Sequence, residues 1–212
     1  MPRVRVHQHV NPLSPYYRQD PLPVDLAAAF ADPSLPLHLD IGCARGRFLL
    51  RMAKDRPDWN HLGVEIREPL VIEANRIAQE SGLRNLHYTF CNAMLWLGRL
   101  LEDIPQGRLQ VVTIQFPDPW FKKKHGKRRM VTPELVRTVV DNLAVGGSVF
   151  VQTDIEALAI EIFDYFSADP RLKPTMSASN PFPAKTEREI AVETKGHAVY
   201  RALFENATSC IG

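Results

Sequence analysis

Apolar positions along this chain recur in two periods, one typical of strands and one typical of helices. The run at 37–41, Leu-His-Leu-Asp-Ile, stops at Gly42 and predicts a first core strand. From Arg47 to Ala53 the apolar residues take helical spacing, and this pattern ends before Pro57. The alternation then repeats. We predict further strands at 61–66, 86–91, 109–116 and 148–152, and further helices at 69–81, 93–102, 133 to about 146, and 154–168.

Four successive strand–helix units are typical of an α/β protein whose parallel sheet is covered by helices on both faces. The pattern is weaker at the ends of this region. We predict a short helix at 24–31 and a last β-like run at 197–204. Residues 170–185 are predicted to be irregular, apart from a short strand near Leu172. Thr186 and Glu189 have the spacing of a capping box for a helix that follows.

Five prolines within the first 23 residues predict a segment without regular structure, which we interpret as an N-terminal arm (1–23) preceding a single domain (24–212). A length of 212 residues with 45% apolar and 24% charged content suits one soluble domain. No apolar run of signal-peptide or membrane-spanning length is present, so we expect a cytoplasmic protein without a membrane partner.

Metal binding is not expected from this composition. The three cysteines, Cys43, Cys91 and Cys210, lie far apart and form no Cys-x-x-Cys pair, so neither a zinc site nor a disulfide framework is indicated. His7 and His9 stand in the Pro-rich arm with no further ligand nearby. We therefore interpret these two histidines as solvated or packed against a macromolecule.

A dense group of basic residues follows the strand predicted at 109–116. The group contains six Lys and Arg residues between positions 122 and 129. The formal net charge of the chain is only +2, and without these six the remaining 20 basic residues are outnumbered by 24 acidic ones. Such a concentrated basic site attracts nucleic acid, although a run of this kind is also compatible with a solvated loop tip. The six basic residues, together with the aromatic residue before them, are candidate contacts for a nucleic acid: Trp120, Lys122, Lys123, Lys124, Lys127, Arg128 and Arg129.

Polar residues end four successive predicted strands, namely Asp40, Glu65, Asn92 and Asp118. Because ligands of open parallel sheets bind across the carboxyl ends of the strands, we expect these four side chains to line one crevice. Gly42 and Gly46 allow a ligand to approach the backbone where the first strand turns into a helix, although a tight turn also uses glycine for steric reasons alone.

The charges of this crevice favour one class of cofactor. A dinucleotide site would carry Gly-x-Gly-x-x-Gly to hold a pyrophosphate, but Ala44 stands at its second glycine. A carboxylate at Asp40 suits a cationic ligand, and Glu65 is placed to accept hydrogen bonds from ribose hydroxyls. S-adenosylmethionine combines an ammonium, a sulfonium and an adenosine, so we predict this cofactor, with S-adenosylhomocysteine as the product.

The chain resembles the TrmB family of tRNA (guanine-N7-)-methyltransferases over nearly its whole length. The most specific match is Pro117-Asp118-Pro119-Trp120 with the basic extension after it. Asp40-Ile41-Gly42 with Gly46, Glu65 with Asn92, and Thr153-Asp154 follow in the family's order, as does Thr186 with Glu189. The resemblance implies a Rossmann-like class I methyltransferase, with a seven-stranded, mostly parallel sheet and an antiparallel last strand.

The resemblance also implies roles for individual residues. Asp118 is expected at the reacting centre. The methyl donor is expected to contact Asp40, Gly42, Gly46, Glu65, Asn92 and Asp118, and the substrate to contact Lys122, Asp154, Thr186, Glu187, Arg188 and Glu189. The implied reaction is methylation of the variable-loop guanine, position 46 of tRNA, at N7. No metal and no obligate protein partner are expected.

Ala44 stands where the family usually has glycine, and Phe121 and Gly126 alter the basic loop. Arg188 stands where the family usually has an aromatic residue, which favours a phosphate contact over base stacking there. Asp118 is also compatible with a simple Asp-Pro turn, and Asp154 with a helix cap. Two other functions stay open from the residues alone, a methyltransferase with a different substrate and a non-catalytic RNA-binding module of the same fold.

Overall fold

The structure, a computed structural model, describes residues 10–21, 23–120 and 123–207, except for the side chains of 123–125. Within these ranges seven strands form one sheet. The strands are β1 Leu37–Ile41, β2 Asn60–Glu65, β3 Leu86–Phe90, β4 Leu109–Gln115, β5 Ser148–Thr153, β6 Leu172–Met176 and β7 Tyr200–Asn206. The α-helices are α1 Leu26–Ala29, α2 Arg47–Asp55, α3 Glu68–Glu80, α4 Ala93–Leu101, α5 Pro133–Asn142, α6 Glu156–Ser167 and α7 Glu187–Thr194.

The strand order across the sheet is β3-β2-β1-β4-β5-β7-β6. Neighbouring strands are parallel up to β5, whereas β7 lies antiparallel between β5 and β6. The predicted mostly parallel seven-stranded sheet with an antiparallel last strand is therefore confirmed. Because the order reverses between β1 and β4, the carboxyl ends of these two strands form the topological switch point, which is where ligands of such sheets bind and where the predicted crevice lies.

Alternating side chains along β1 divide the core into two faces. Leu39 and Ile41 join a large apolar cluster that also includes residues of α4, α5 and α6. His38 points to the other face, where its ring packs edge-on against Phe48 of α2. A second cluster on that face joins residues of α2 and α3. Helices thus cover both faces, and the period of two in the sequence accounts for the division.

The predicted elements occur in the predicted order, and most bounds differ by one to three residues. The prediction that no regular structure precedes residue 24 is wrong, because residues Pro15–Arg18 form a 3-10 helix. Pro15 opens this turn, and proline is compatible with a first helical position since it needs no N–H partner there. The helix predicted to end near 146 ends earlier, at Asn142.

Among the described residues, none of the helices has the length and apolar character that crossing a bilayer requires.

Candidate active site

Asp40 lies near the end of β1 and is almost completely buried. Its Oδ1 accepts a hydrogen bond of 2.6 Å from the Thr113 hydroxyl and a longer one of 3.4 Å from Gln115 Nε2. Burial raises the pKa of Asp40 to about 6, the two hydrogen bonds oppose this shift, and the charge of Glu65 adds to it. A carboxylate that is costly to ionise in isolation is suited to receive a cationic partner.

Glu65 ends β2 and is also buried. Its Oε1 accepts the Arg67 backbone N–H at 3.0 Å and the Arg67 Nε at 2.9 Å. Its Oε2 accepts the Ala44 backbone N–H at 2.9 Å and the Arg67 Nη2 at 2.9 Å. The carboxylate therefore joins the turn after β1 to the loop after β2, and all its acceptor positions are engaged.

The turn between β1 and α2 contains three residues with positive φ, Gly42 at 83°, Ala44 at 51° and Gly46 at 68°. A Cβ on Gly46 would lie 2.4 Å from the Tyr88 ring, so glycine is needed there for packing. At Gly42 a Cβ would meet only Met130, at 3.9 Å, which leaves the backbone accessible to a ligand. Ala44 adopts a left-handed conformation that glycine takes without strain.

Asn92 follows β3 and is buried beneath the N-terminal segment. Its Nδ2 donates to the carbonyl oxygens of Pro12, at 2.8 Å, and Tyr17, at 3.1 Å. Tyr16 donates from its hydroxyl to Glu68 Oε2 at 2.7 Å and lies beside the Phe90 ring. The part of the predicted arm that the structure describes thus packs against the strand ends that form the crevice.

Asp118 is exposed in the loop after β4. Two residues of this loop have positive φ, Phe116 at 51° and Trp120 at 43°. Such a conformation is unfavourable for bulky side chains, and surrounding contacts must hold it. Phe116 donates its N–H to the Gln152 carbonyl at 2.7 Å, and Arg129 Nε donates to the Pro119 carbonyl at 3.0 Å.

The basic residues after this loop fall into different environments. Lys127 is exposed, whereas Arg128 places its guanidinium 5.1 Å from the centre of the Trp120 ring. Arg129 forms an ion pair with Glu161 of α6 and is only partly exposed. It therefore anchors the loop in addition to any RNA contact. Lys122 lies outside the described residues, as do the side chains of Lys123 and Lys124.

The residues predicted to hold the substrate meet around the start of α7. Thr186 caps this helix, because its Oγ1 accepts the Glu189 N–H at 3.1 Å. Arg188 forms an ion pair with Asp154, and Glu187 forms one with Arg47 of α2. The alternative prediction that Asp154 caps a helix is wrong, since α6 is capped at Ile155 without a side-chain bond.

Glu189 differs from its neighbours because its side chain has no exposed surface. Its Oε1 accepts from Arg201 Nη2 at 3.0 Å. Its Oε2 accepts from Gln152 Nε2 at 3.1 Å and from Asn180 Nδ2 at 2.8 Å. The Glu189 carboxylate faces the core, and this geometry does not favour a direct contact with tRNA. The predicted substrate contact of Glu189 stays a prediction.

Arg67 connects the carboxylates at the crevice. Burial lowers the pKa of Arg67, but hydrogen bonds and charge from Glu65, followed by the charge of Asp118, outweigh this effect and raise it. Since Glu65 in turn acts on the pKa of Asp40, three of the four predicted crevice residues share one electrostatic environment. Arg67 is not among the residues predicted for the site, and the only sequence signal for it is its position two residues after Glu65.

Sequence reasoning also missed Thr113 and Gln115, two polar residues in the carboxyl-terminal half of β4 that donate hydrogen bonds to Asp40. Among the described residues, no group of three or more His, Cys, Asp and Glu side chains could hold a metal ion. Cys43 and Cys91 are buried free thiols, and burial raises the pKa of each. His7, His9 and Cys210 lie outside the described residues.

Comparisons with known proteins agree with this geometry. A family model described as "Putative methyltransferase" matches residues 34–202. A tRNA (guanine-N(7)-)-methyltransferase of Trichormus variabilis is 54% identical over 209 residues, which cover 97% of each chain. The chain belongs to the family of tRNA (guanine-N7-)-methyltransferases. A family member from Synechococcus elongatus is 55% identical over 207 residues, covering 96% of this chain and 97% of its own.

Solved structures with low sequence identity support the fold of this family member. The precorrin-6y C5,15-methyltransferase of Geobacter metallireducens aligns with a TM-score of 0.56 at 10% identity, covering 85% of both chains. A methyltransferase of Pyrococcus furiosus aligns with a TM-score of 0.55 at 16% identity, covering 82% of this chain and 76% of its own. These likenesses establish the Rossmann-like methyltransferase architecture alone.

Proposed function

We propose that this protein is an S-adenosylmethionine-dependent tRNA methyltransferase that forms N7-methylguanosine at guanine 46 of the variable loop. The observation that carries the proposal is that Asp40, Glu65, Asn92 and Asp118 stand at or just after the carboxyl ends of four parallel strands, in a chain that belongs to this family. The predicted cytoplasmic location and the separate N-terminal arm remain part of the proposal. A tRNA substrate supports this location.

The crevice fits the proposed donor. Thr113 and Gln115 both donate hydrogen bonds to Oδ1 of Asp40. We assign the other carboxylate oxygen, Oδ2, to the ammonium group of S-adenosylmethionine. Gly42 leaves its backbone open to the ligand. For Glu65 to accept the ribose hydroxyls, the Arg67 side chain has to release acceptor positions that it occupies in this structure.

When bound, S-adenosylmethionine supplies an electrophilic methyl group. Guanine N7 carries a lone pair and no proton, so the protein needs to position this atom and need not provide a strong base. We assign Asp118 to orient the guanine through its N1 and N2 hydrogens and to favour the positive charge that develops on the base. Its exposure at the crevice allows this contact.

The basic loop and the start of α7 are assigned to the tRNA. Lys127 is exposed for phosphate contacts, and Arg128 with Trp120 offers a cationic and aromatic surface to an unstacked base. Lys122, Lys123, Lys124 and Arg129 complete the proposed RNA contacts. We assign the substrate contacts to Asp154, Thr186, Glu187 and Arg188. Glu189 is assigned an indirect role on the same side of the site, because its buried contacts hold α7 in place.

Incubation of bulk unmodified tRNA with labelled S-adenosylmethionine and the protein, followed by nucleoside analysis, tests the activity. We expect labelled N7-methylguanosine, and we expect its loss when a transcript carries adenine at tRNA position 46. Absence of the product with folded protein that binds S-adenosylhomocysteine would overturn the proposal. Label in a different nucleoside would indicate a methyltransferase with another substrate.

The elevated pKa of Asp40 predicts how donor binding depends on pH. Since burial raises this pKa to about 6, Asp40 is charged at neutral pH and becomes neutral as the pH falls through this value. Only the charged form pairs with the ammonium group, so we expect affinity for S-adenosylhomocysteine to fall by about tenfold per pH unit below the pKa. Calorimetric titrations between about pH 8 and about pH 5 measure this dependence.

Asp40→Asn is the matched control for the pH dependence. This variant keeps the shape of the side chain and removes its titration, so binding should be weak and nearly independent of pH over the same range. A wild-type affinity that does not change between neutral and acidic pH would contradict the assignment of Asp40 to the ammonium group.

A further inference from the structure

A row of polar side chains crosses the sheet beside the crevice. Gln115 of β4 is the register partner of Gln152 on β5, and Gln152 is the register partner of Arg201 on β7. Gln152 and Arg201 are buried, whereas Gln115 is partly exposed. The row continues the polar part of this face, because Thr113 and Asp40, which are register partners on β4 and β1, lie on the same side of the sheet and are also buried.

Hydrogen bonds run through this row in one direction. Arg201 Nε donates to Gln152 Oε1 at 3.1 Å, and Gln152 Nε2 donates to Gln115 Oε1 at 2.7 Å. Gln115 Nε2 then donates to Asp40 Oδ1 at 3.4 Å, which is the longest and weakest link. The row therefore begins at a buried cation and ends at the carboxylate assigned to the methyl donor.

Charged groups determine the orientation of both amides. A guanidinium only donates, so the carbonyl oxygen of Gln152 must face Arg201. A carboxylate only accepts, so the amino group of Gln152 must face Glu189, whose Oε2 lies 3.1 Å away. The same amino group faces the carbonyl oxygen of Gln115, which leaves the amino group of Gln115 to face Asp40.

Glu189 connects this row to the substrate side of the site. It belongs to the first turn of α7, next to Thr186, Glu187 and Arg188, and it pairs with Arg201 inside the protein. A buried ion pair adds little net stability, because removing the charges from water costs about as much as their attraction returns. Its fixed geometry, however, ties the position of α7 to the orientation of Gln152.

We propose that Gln115, Gln152 and Arg201 are positioning residues for the methyl donor, which orient the Asp40 carboxylate and couple it to helix α7 on the substrate side. This inference rests on the proposed function for the identity of the donor. The side chains themselves do not contact the reacting atoms. Their effect is to present an N–H donor to Oδ1, so that the second carboxylate oxygen is held toward the crevice.

The substitution Gln152→Met tests this proposal, because it keeps the side-chain volume and removes both ends of the amide. With the full-length protein we expect affinity for S-adenosylhomocysteine, measured by calorimetry, to fall by about five- to tenfold. The KM for S-adenosylmethionine should rise similarly, while kcat at saturating donor should change by less than about twofold. A purely structural effect would instead reduce the active fraction and leave KM unchanged.

Asn206→Leu provides the matched control. Asn206 is a buried amide at the other end of β7, where its Nδ2 donates to the carbonyl oxygens of Leu143 and Ala144. This variant should lower the melting temperature without changing donor affinity. Gln115→Met, at the partly exposed member of the row, provides a second test if Gln152→Met does not fold, and it should weaken donor binding to a similar extent.

The outcomes separate this proposal from the proposed function. Unchanged donor affinity in folded Gln152→Met or Gln115→Met, with normal wild-type binding, would refute the positioning role and leave the methyltransferase assignment intact. A wild-type protein that binds no S-adenosylhomocysteine would refute the proposed function and, with it, the role of the row. Equal weakening in Asn206→Leu would show that the effect is one of general stability.

Discussion

Replacing Asp118 with alanine is expected to lower the rate of tRNA methylation by about two to three orders of magnitude, the usual loss when one oriented electrostatic contact to a reacting group is removed. The residue lies in a loop whose backbone is held in an unfavourable conformation at Phe116 and Trp120. Each such residue costs on the order of 1–3 kcal/mol, so neighbouring contacts must offset this cost to keep Asp118 in place.

Single-turnover methylation of unmodified tRNA at saturating S-adenosylmethionine measures this effect. Because Asp118 is exposed, the melting temperature should change little, and a loss of rate can be assigned to the site. Asp118→Asn is the companion variant, since it keeps the side-chain shape and one acceptor oxygen while removing the charge. A rate within about threefold of wild type in Asp118→Ala would rule out the proposed role at the reacting centre.

Replacing Glu189 with alanine is expected to cost about 3 kcal/mol in the free energy of unfolding, near the lower end of the range for broken buried ion pairs. The change removes one acceptor each from Gln152 and Asn180 and one of the two carboxylates that Arg201 contacts. Arg201 keeps its contact with Glu193, at 2.6 Å, which limits the loss. Urea unfolding followed by circular dichroism measures the difference.

Glu187→Ala serves as the control on the same helix. Glu187 pairs with Arg47 on the surface, with about half of each side chain exposed, and such pairs contribute at most about 1 kcal/mol. The two variants also differ in what they reveal about function. If Glu189→Ala loses stability but methylates tRNA normally per folded molecule, Glu189 holds α7 in place and does not contribute to substrate binding.

The ends of the parallel strands were predictable from sequence, because each strand is a short, mainly apolar run with an acidic or amide residue at or just after its carboxyl end. Asp40 and Glu65 were found in this way, and the structure places both where the strands end. The bounds of the helices were less certain, since the last turn depends on capping contacts. The α5 helix, for example, ends at Asn142, four residues before Gly146, where the sequence predicts its end.

The row from Arg201 to Asp40 was not predictable, because it depends on which strands are neighbours. Gln152 and Arg201 are 49 positions apart in sequence, and they meet only because β7 enters the sheet beside β5. Local patterns also gave no reason to expect a fully buried carboxylate at Glu189. Likewise, the charge of Arg129 was evident, but its ion pair with Glu161 of α6 depends on tertiary packing.

The contact between Asn92 and the N-terminal segment has a practical consequence. A side-chain amide has two N–H groups, and Asn92 Nδ2 donates to the backbone carbonyls of Pro12 and Tyr17, which precede the first strand by 25 and 20 positions. Pro12 and Tyr17 therefore belong to the wall of the crevice. If the proposed donor site is correct, a purification tag or a truncation placed close to them is expected to alter donor binding, and a tag at the other end of the chain is the safer choice for measuring donor affinity.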